Sequence, residues 1–342
     1  MKNKFNIVFC ILLGALSACD EYDFEQEQYK SEISLLSNSS LIYDRQIANV
    51  AQENDTLYVV AAMSGSQPSN QSSHVALLES DSLFKAYNKS NFDIETKYFA
   101  KMLPKECYEF PTMELDIPAG ASKVMFPVYL KNLERISPDS TYFLNYCLDK
   151  ERTGAFNPKK SHVLLRIYKE NYYATTKTAT YYNYTSSTII IPSSKPNENA
   201  EVRRPTSANR VFPVGGNSVR LMAGDEGFKD YKEGRKDIVS KSIILEVGDQ
   251  LPENPLARGL TIKAHPQASD VPDAKPADVV QLTPIGEYDN TFLLNVIRTP
   301  DGRATYYKEF RLHYKYRLKS TDVYKEVNAK LRYEFNPRVD NL

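Results

Sequence analysis

The side chains that most often carry out catalysis are sparse and scattered in this chain. Four histidines could act as general bases or metal ligands, but each lies on a separate segment with no local partner: His74, His162, His265 and His313. The sequence contains no Gly-x-Ser-x-Gly, Cys-x-x-Cys or His-Glu-x-x-His motif and no glycine-rich phosphate loop. A glycosidase needs only two carboxylates placed in space, and a sequence cannot exclude that pair. We expect a non-catalytic protein without a cofactor or metal.

Tyrosine is the abundant side chain that could bind a ligand, since the chain has 24 Tyr and 15 Phe but no Trp. An aromatic ring offers a flat face to sugar C–H groups, and the tyrosine hydroxyl adds a polar handle. Adjacent tyrosines occur at 172–173, 181–182 and 306–307, and neighbours on a strand point to opposite faces. One ring of each pair can therefore be exposed, which makes Tyr173, Tyr181 and Tyr307 candidate glycan-binding residues. The alternative is that these rings are structural cross-strand contacts.

The first eighteen residues have the pattern of an export signal. Lys2 and Lys4 precede an apolar run over residues 7–16, which at ten residues is half of the roughly 20 that a transmembrane helix needs. The tetrapeptide Leu16-Ser17-Ala18-Cys19 resembles a bacterial lipobox. That resemblance implies cleavage before Cys19 and attachment of a diacylglycerol to its thiol. The alternative is an ordinary secretory signal with a chance Cys at the junction.

Residues 19–31 are expected to form an acidic tether. Five acidic residues lie between Asp20 and Glu27 without hydrophobic periodicity. Acidic residues after a lipidated Cys also resemble the signal that sends lipoproteins of the Bacteroides group to the outer cell surface. We expect a lipid anchor in the outer membrane and display to the exterior, with the periplasmic side as the alternative.

Two cysteines remain after the signal and the lipid site, Cys107 and Cys147. Export permits a disulfide between them. The alternation of residues 142–148 places Cys147 on the strand face of Asn145, opposite the apolar residues. A bridge and two free thiols both remain open on the sequence.

Composition favours a globular β-protein of about two domains. The 43 basic and 43 acidic residues balance, so no nucleic-acid partner is expected. Hydrophobic residues make up 42% and charged residues 25%, which is ordinary globular usage. The many Tyr and Phe side chains suit a half-buried pleated surface.

Residues 32–170 show short extended runs separated by turn residues, which predicts an immunoglobulin-like β-sandwich. Strands are predicted at 33–36, 56–62, 75–79, 113–117, 123–130, 141–148 and 161–168. Short helices are predicted at 82–87 and, stopped by Pro104, at 95–103.

The pattern changes at Asn171, where a polar, Thr-rich stretch marks the predicted start of a second all-β domain over 171–342. Its predicted strands are 178–184, 188–191, 217–222, 242–247, 260–264, 279–282, 290–298, 310–318 and 327–335. The last two alternate apolar and charged residues, so each lines a core on one side only. A second antiparallel β-sandwich or a small lipocalin-like barrel is expected.

Several segments carry a family resemblance. In the first domain they are the lipobox with Asp20-Glu21-Tyr22-Asp23, Gln28-Tyr29-Lys30, Tyr87-Asn88-Lys89-Ser90-Asn91-Phe92, Leu103-Pro104-Lys105 and the run from Leu133 to Tyr142. They resemble Bacteroidetes lipoproteins with domain of unknown function 1735, over roughly residues 20–170. Val211-Phe212-Pro213, Asn217-Ser218-Val219-Arg220 and Asp289-Asn290-Thr291-Phe292 are similar to domain of unknown function 4361, over roughly residues 172–340. The resemblance implies a surface lipoprotein with an immunoglobulin-like N-terminal domain, often encoded beside glycan-uptake machinery, and it supplies no catalytic residues.

The Bacteroides O-glycosylation pattern, in which Asp precedes the modified Ser or Thr, matches at Thr56, Ser82 and Ser140. Chance explains any one match of so short a pattern. Together these features predict a lipid-anchored surface protein that binds a polysaccharide or oligosaccharide without catalysis, as an accessory of capture beside outer-membrane uptake proteins. The alternative is an adhesin or structural lipoprotein that binds a protein partner.

Overall fold

The computed structural model describes residues 30–52, 54–65, 69–195, 197–227 and 234–338. The predicted signal, Cys19 and nearly all of the acidic tether lie outside these residues. Strands dominate the described chain. They form two sheets in the N-terminal part and a closed barrel in the C-terminal part.

Eleven strands form the N-terminal part. They are β1 (Ile33–Leu35), β2 (Ile42–Tyr43), β3 (Ile47–Asn49), β4 (Asp55–Met63), β5 (Ser73–Glu79), β6 (Lys101–Met102), β7 (Tyr108–Glu109), β8 (Glu114–Ile117), β9 (Lys123–Leu130), β10 (Tyr142–Leu148) and β11 (His162–Glu170). Helix α1 spans Ser82–Phe92. Single 3-10 turns lie at Thr96–Tyr98, Lys105–Cys107, Leu133–Arg135 and Pro158–Lys160.

One sheet has the strand order β1-β4-β9-β7 and the other β2-β11-β10-β5-β8, with β3 on β11 and β6 on β10. Apolar side chains from both sheets pack into a single core, which includes Val59 and Phe126 from the first sheet and Leu144 and Leu165 from the second. Burial of this shared apolar surface holds the sheets face to face.

The outer face of the second sheet is covered by α1. Phe143 is fully buried there, and the rings of Phe84 and Tyr87 meet it edge to face at 6.5 and 4.9 Å. This small cluster fixes the start of the helix beside the end of β5.

Ten strands form the C-terminal part. They are β12 (Thr180–Ile191), β13 (Glu201–Arg203), β14 (Ala208–Gly215), β15 (Ser218–Met222), β16 (Ser242–Leu251), β17 (Asn254–Ala264), β18 (Asp278–Gln281), β19 (Thr291–Arg298), β20 (Ala304–Arg317) and β21 (Lys325–Phe335). Helix α2, Gly234–Lys241, precedes β16.

Eight of these strands close into an antiparallel barrel. Their order is β12-β14-β15-β16-β17-β19-β20-β21, and β21 pairs back with β12. Barrel strands that are consecutive in the sequence are therefore also neighbours in space. This is the up-and-down arrangement that the lipocalin-like alternative implied. Large side chains fill the interior, including fully buried Tyr182, Phe292, Phe310 and Tyr316.

Most predicted strands are confirmed, with ends that differ by up to six residues, but several local predictions were wrong or incomplete. Residues 95–103 form no α-helix and only the 3-10 turn at Thr96–Tyr98. Lys101 and Leu103 donate backbone hydrogen bonds to Thr141 and Phe143, which brings the end of the segment into the sheet. The two strands predicted over 178–191 are one, β12, interrupted by a bulge between Thr185 and Thr188. Strand β14, which contains Pro213, was not predicted, and neither were the short strands β2, β3, β6, β7 and β13.

The two parts contact one another through buried polar groups. Lys169 at the end of β11 donates from Nζ to Ile136 O at 3.0 Å and to Val214 O at 2.6 Å. Arg220 on β15 forms a two-pronged salt bridge with Asp139, with Nη–Oδ distances of 2.5 and 2.6 Å. The Lys169–Val214 hydrogen bond and the Asp139–Arg220 salt bridge each join residues from the two halves of the chain.

Candidate functional site

Tyr173 is a core residue, which overturns its candidacy as an exposed sugar platform. Its side chain is buried, and its ring lies 4.9 Å from that of Phe292 and 6.0 Å from that of Phe310. The Tyr182 hydroxyl donates to the Tyr173 carbonyl at 2.9 Å. Because the chain enters the barrel at this point, the ring closes one barrel end and is not free to meet a ligand.

Tyr181 and Tyr307 lie on the outside of the barrel and are not brought together. Tyr181 on β12 is 50% exposed, so its ring is open to a ligand. Tyr307 on β20 is half-buried, and the Arg332 guanidinium lies 5.6 Å from its ring centre. Strand β21 separates the two strands, which places them roughly 10 Å apart in the sheet.

Of the two possibilities that the sequence left open for Cys107 and Cys147, the structure shows two free thiols and no bridge. Cys107 lies within the core between the two sheets, where its Sγ is 3.7 Å from Asn132 O. Cys147 lies on the opposite, outer face of β10, as the alternation predicted, because its neighbours Tyr146 and Leu148 point into the core. A sheet therefore separates the two sulfurs. Burial raises the pKa of both thiols.

The three possible O-glycosylation residues have different surroundings. Ser82 is exposed at the start of α1, and its hydroxyl is 3.0 Å from that of Ser80. Thr56 is half-buried on β4. Ser140 is also half-buried, and it follows Asp139, which is held by Arg220. Ser82 is the most accessible of the three.

A pocket of about 690 Å³ opens in the second sheet of the N-terminal part, and we call it the gap pocket. β10 pairs with β5 along Tyr146–Leu148 and with β6 along Tyr142 and Phe143. Between these two partners only Leu144 and Asn145 lie outside both ladders, and the Asn145 carbonyl accepts from Ser80 N at 3.2 Å. The pocket is lined by Glu79, Ser80, Asp81, Met102, Leu103, Pro104, Lys105, Tyr108, Leu144, Asn145 and Tyr146.

The rim of the gap pocket carries paired charges beside apolar side chains. Lys105 bonds to Glu79, and its ammonium lies 5.2 Å from the ring centre of Tyr108. Asp81 forms an ion pair with Lys85 one turn into α1, and that hydrogen bond lowers the pKa of Asp81. Each lysine is thus neutralised by a carboxylate. The volume of the gap pocket lies within the roughly 300–1,000 Å³ usual for small-ligand sites.

Two adjacent residues of β10 beside the gap pocket carry buried polar atoms without partners, and their side chains point to opposite faces of the strand. Asn145 is only 1% exposed, and neither its amide nitrogen nor its amide oxygen has a hydrogen bond. The Tyr146 hydroxyl, equally buried, also has none. Burial raises the pKa of Tyr146, and Tyr108 and Glu79 nearby add to the rise. Buried polar groups are normally bonded, so the unpaired atoms of Asn145 and Tyr146 are exceptions to that rule.

Sequence reasoning did not find the gap pocket. One signal was present, because Asn145 interrupts the otherwise apolar run of β10, and a polar residue in such a run needs a partner. What the sequence could not supply is the gap itself. It arises because β5 and β6, which are distant in sequence, cover different stretches of the same strand edge.

Two further site types were searched for in the described residues. Within residues 30–52, 54–65, 69–195, 197–227 and 234–338, no group of three or more His, Cys, Asp and Glu could hold a metal ion. The helices in this part of the chain are all too short or too polar to cross a membrane.

Two family models match the chain. An N-terminal domain model matches residues 24–153, and a C-terminal domain model matches residues 161–332, which is half of the chain by itself. The chain belongs to this two-domain family. No curated protein matches the chain.

Solved structures from Bacteroides share the two-domain fold. A multidomain protein from Bacteroides ovatus that includes DUF1735 has a TM-score of 0.57 at 15% identity, over 90% of this chain and 97% of its own. An auxiliary nutrient binding protein from Bacteroides thetaiotaomicron VPI-5482 has a TM-score of 0.56 at 15% identity, over 90% and 98%. A protein of unknown function from Bacteroides ovatus reaches 0.58 at 15% identity, over 92% and 96%. These likenesses establish the fold.

Proposed function

We propose that the protein is a lipid-anchored cell-surface protein that binds glycan without catalysis and assists polysaccharide capture. In this proposal Cys19 carries the lipid in the outer membrane, and residues 19–31 hold the folded domains off the bilayer. Residues 32–170 form an immunoglobulin-like sandwich that joins the C-terminal domain near Asn171. Outer-membrane uptake proteins are the proposed partners.

The gap pocket is the observation on which the glycan proposal rests. Met102, Leu103 and Pro104 offer apolar surface to sugar C–H groups, while Ser80 and Glu79 offer hydrogen-bonding oxygens. A site that joins an apolar wall to a few convergent polar groups suits a small polar ligand. The fold shared with an auxiliary nutrient binding protein supports the same class of function.

A panel of neutral plant, host and microbial polysaccharides tests glycan binding by affinity gel electrophoresis of the full-length protein. We expect retardation by at least one polysaccharide, and Glu79→Ala should weaken it because this change removes a rim oxygen. Glu109→Ala, an exposed carboxylate on β7, is the matched control. Tyr181→Ala and Tyr307→Ala show whether these two rings on the outside of the barrel contribute to polysaccharide binding. Absence of retardation by every polysaccharide would refute the proposal.

The anchor is tested separately. Cys19→Ala should abolish metabolic labelling with a fatty acid and release the protein from the membrane fraction. Cys10→Ala, inside the predicted signal, is the control and should leave labelling intact. Undiminished labelling of the Cys19 variant would show that Cys19 does not carry the lipid.

An adhesin that binds a protein partner is the second candidate function. One observation favours it: Met125 and Tyr129 project from the outer face of β9 and are 40% and 43% exposed. Exposed apolar side chains in a row suit a protein contact more than a sugar. Binding of no glycan, together with loss of cell adhesion in Tyr129→Ser, would favour this function.

A further inference from the structure

A polar and aromatic cluster lies on the outer wall of the barrel, where β19, β20 and β21 run side by side. We call it the wall cluster, and it consists of Asn295, Tyr307, Glu309 and Arg332. Asn295 lies opposite Tyr307 in the pairing of β19 with β20, and Arg332 lies opposite Glu309 in the pairing of β20 with β21. Phe310 points into the barrel, so alternation along β20 turns Tyr307 and Glu309 outward. The four side chains therefore share one patch of the wall.

Glu309 holds the polar members of the wall cluster in place. Its side chain is fully buried. Its Oε2 accepts from Asn295 Nδ2 at 3.2 Å and from Arg332 Nε, and its Oε1 accepts from Arg311 Nε at 2.6 Å. Hydrogen bonds to an ionised carboxylate are stronger than those between neutral groups. Asn295 and Arg332 are thus fixed in the free protein.

These bonds leave donors and an acceptor of the wall cluster unused. Among the described residues, neither Asn295 Oδ1 nor the two Nη groups of Arg332 have a hydrogen-bond partner. Unlike the amide atoms of Asn145, they are not enclosed. The Arg332 side chain is 23% exposed and Asn295 is half-buried. A sugar hydroxyl both donates and accepts, so a sugar could bond to the Nη groups and to Oδ1.

Tyr307 supplies apolar surface between these polar groups. Its ring is half-buried, and the Arg332 guanidinium lies 5.6 Å from the ring centre. Asn295 is its direct neighbour on the other side, on β19. A sugar has apolar C–H groups on its faces and hydroxyls around its edge. A tyrosine ring with donors on one side and an acceptor on the other matches that distribution.

The charges around Tyr307 give no attraction for an anion. Arg311 and Arg332 supply two positive charges, which Glu309 and the exposed Glu334, opposite Tyr307 on β21, balance. A further carboxylate, Asp289, lies 3.7 Å from Arg311 Nη1. An acidic sugar would approach these carboxylates without an excess of cations, whereas an uncharged sugar meets no repulsion.

We propose that the wall cluster is a second saccharide subsite, in which an uncharged sugar unit stacks on Tyr307, accepts hydrogen bonds from Arg332 and donates one to Asn295. This inference rests on the proposed glycan-binding function. It adds a site in the C-terminal domain that is separate from the gap pocket in the N-terminal domain.

The test uses the full-length protein, neutral glucan, mannan, xylan and galactan, and the anionic polygalacturonate. Calorimetry with fragments of whichever polymer binds gives the affinities. Tyr307→Leu should weaken binding roughly tenfold, by analogy with the loss of one ring that stacks on a base. Tyr307→Phe keeps the ring and should retain affinity within about twofold. Arg332→Lys keeps the charge and a donor for Glu309 but lacks the Nη groups, and it should weaken binding several-fold.

Tyr129→Leu is the matched control, since this tyrosine is 43% exposed on β9 of the N-terminal domain. It should leave affinity unaltered. If Tyr307→Leu does not fold, the affinity of Arg332→Lys decides. Unchanged affinity in Tyr307→Leu and Arg332→Lys, an equal loss in Tyr129→Leu, or tighter binding of polygalacturonate than of every neutral polymer would overturn the inference alone. Binding of no polymer by the unaltered protein would overturn the proposed function as well.

Discussion

Lys169 is a buried cation whose partners among the described residues are backbone oxygens only, one from each half of the chain. Its side chain is 2% exposed, and Nζ donates to the carbonyls of Ile136 and Val214. Burial lowers the pKa of Lys169 from its ordinary 10.5 to about 8. Because the unfolded chain then binds more protons between pH 8 and 10.5, this residue makes the folded state more stable as the pH rises through that window.

We expect the free energy of unfolding of the unaltered protein to rise relative to Lys169→Met by about 1 kcal/mol between pH 8 and 9. The difference between the two proteins cancels the titration of tyrosines and thiols that they share. Urea unfolding at a series of pH values measures it. Lys160→Met is the control, since this lysine also donates to two carbonyls but lies closer to the surface. A pH-independent difference would contradict the burial effect.

Tyr173 and Tyr181 test the assignment of tyrosines to core and surface. Tyr173→Ala should destabilise the fold by about 3–5 kcal/mol, because a large ring leaves a cavity at the barrel end. Tyr181→Ala, at an exposed site, should change stability by no more than about 0.5 kcal/mol. Chemical denaturation of the two variants measures both values. Similar stabilities of the two variants would show that Tyr173 is not part of the core.

At the scale of elements, the loop after β15 closes the barrel end opposite to Tyr173. The Gly224 nitrogen donates to the Tyr314 hydroxyl at 2.8 Å, and the Tyr184 hydroxyl donates to the Gly224 oxygen. The Tyr316 hydroxyl reaches Glu226 at 3.0 Å. Three tyrosines from the barrel wall thus hold this loop across the opening.

Gly224 is required there for two reasons. Its φ is +52°, and an added Cβ would lie 2.9 Å from the Tyr316 hydroxyl. Gly224→Ala should therefore destabilise the protein by at least about 1–2 kcal/mol, the cost of a left-handed residue alone. Gly227→Ala is the control, since nothing lies within 4 Å of its added Cβ. Equal melting temperatures of the two variants would contradict this account.

At the scale of the whole molecule, the Asp139–Arg220 salt bridge fixes one domain against the other. The Arg220 side chain is 4% exposed and stacks 4.3 Å above the Phe212 ring. Burial alone would raise the pKa of Asp139, but hydrogen bonds from Arg220 and Ser137 and the nearby Arg235 hold it below its ordinary value. The stabilisation is therefore complete above pH 4 and is lost as the pH falls through this lowered pKa.

Asp139→Ala should destabilise the protein by about 3–5 kcal/mol, because it leaves the Arg220 charge buried and unpaired. The double variant Asp139→Ala/Arg220→Met should recover much of that loss. Equilibrium unfolding at pH 7 of the two single variants and the double variant gives the coupling energy. A coupling below about 0.5 kcal/mol would mean that the bridge does not hold the domains together.

The sequence by itself determined the features that depend on local pattern. The period-two alternation over 310–318 and 327–335 identified two barrel strands and their inner faces, because side chains on a strand alternate whatever it pairs with. The same rule placed Cys147 on the outer face of β10. Tertiary structure decided whatever depended on which distant segments meet. It turned residues 101–103 from a predicted helix into strand and turn, and it put Tyr173 inside the barrel.

The gap pocket is a feature that only the tertiary structure decided. Its floor comes from β10, but its opening exists only because β5 and β6 end at different points along that strand. Barrel closure is similar, since the pairing of β12 with β21 joins residues almost 150 positions apart, such as Asn183 and Arg332. Alternation records which face of a strand is apolar. It contains no information on the partner, because backbone hydrogen bonds are the same for every residue type.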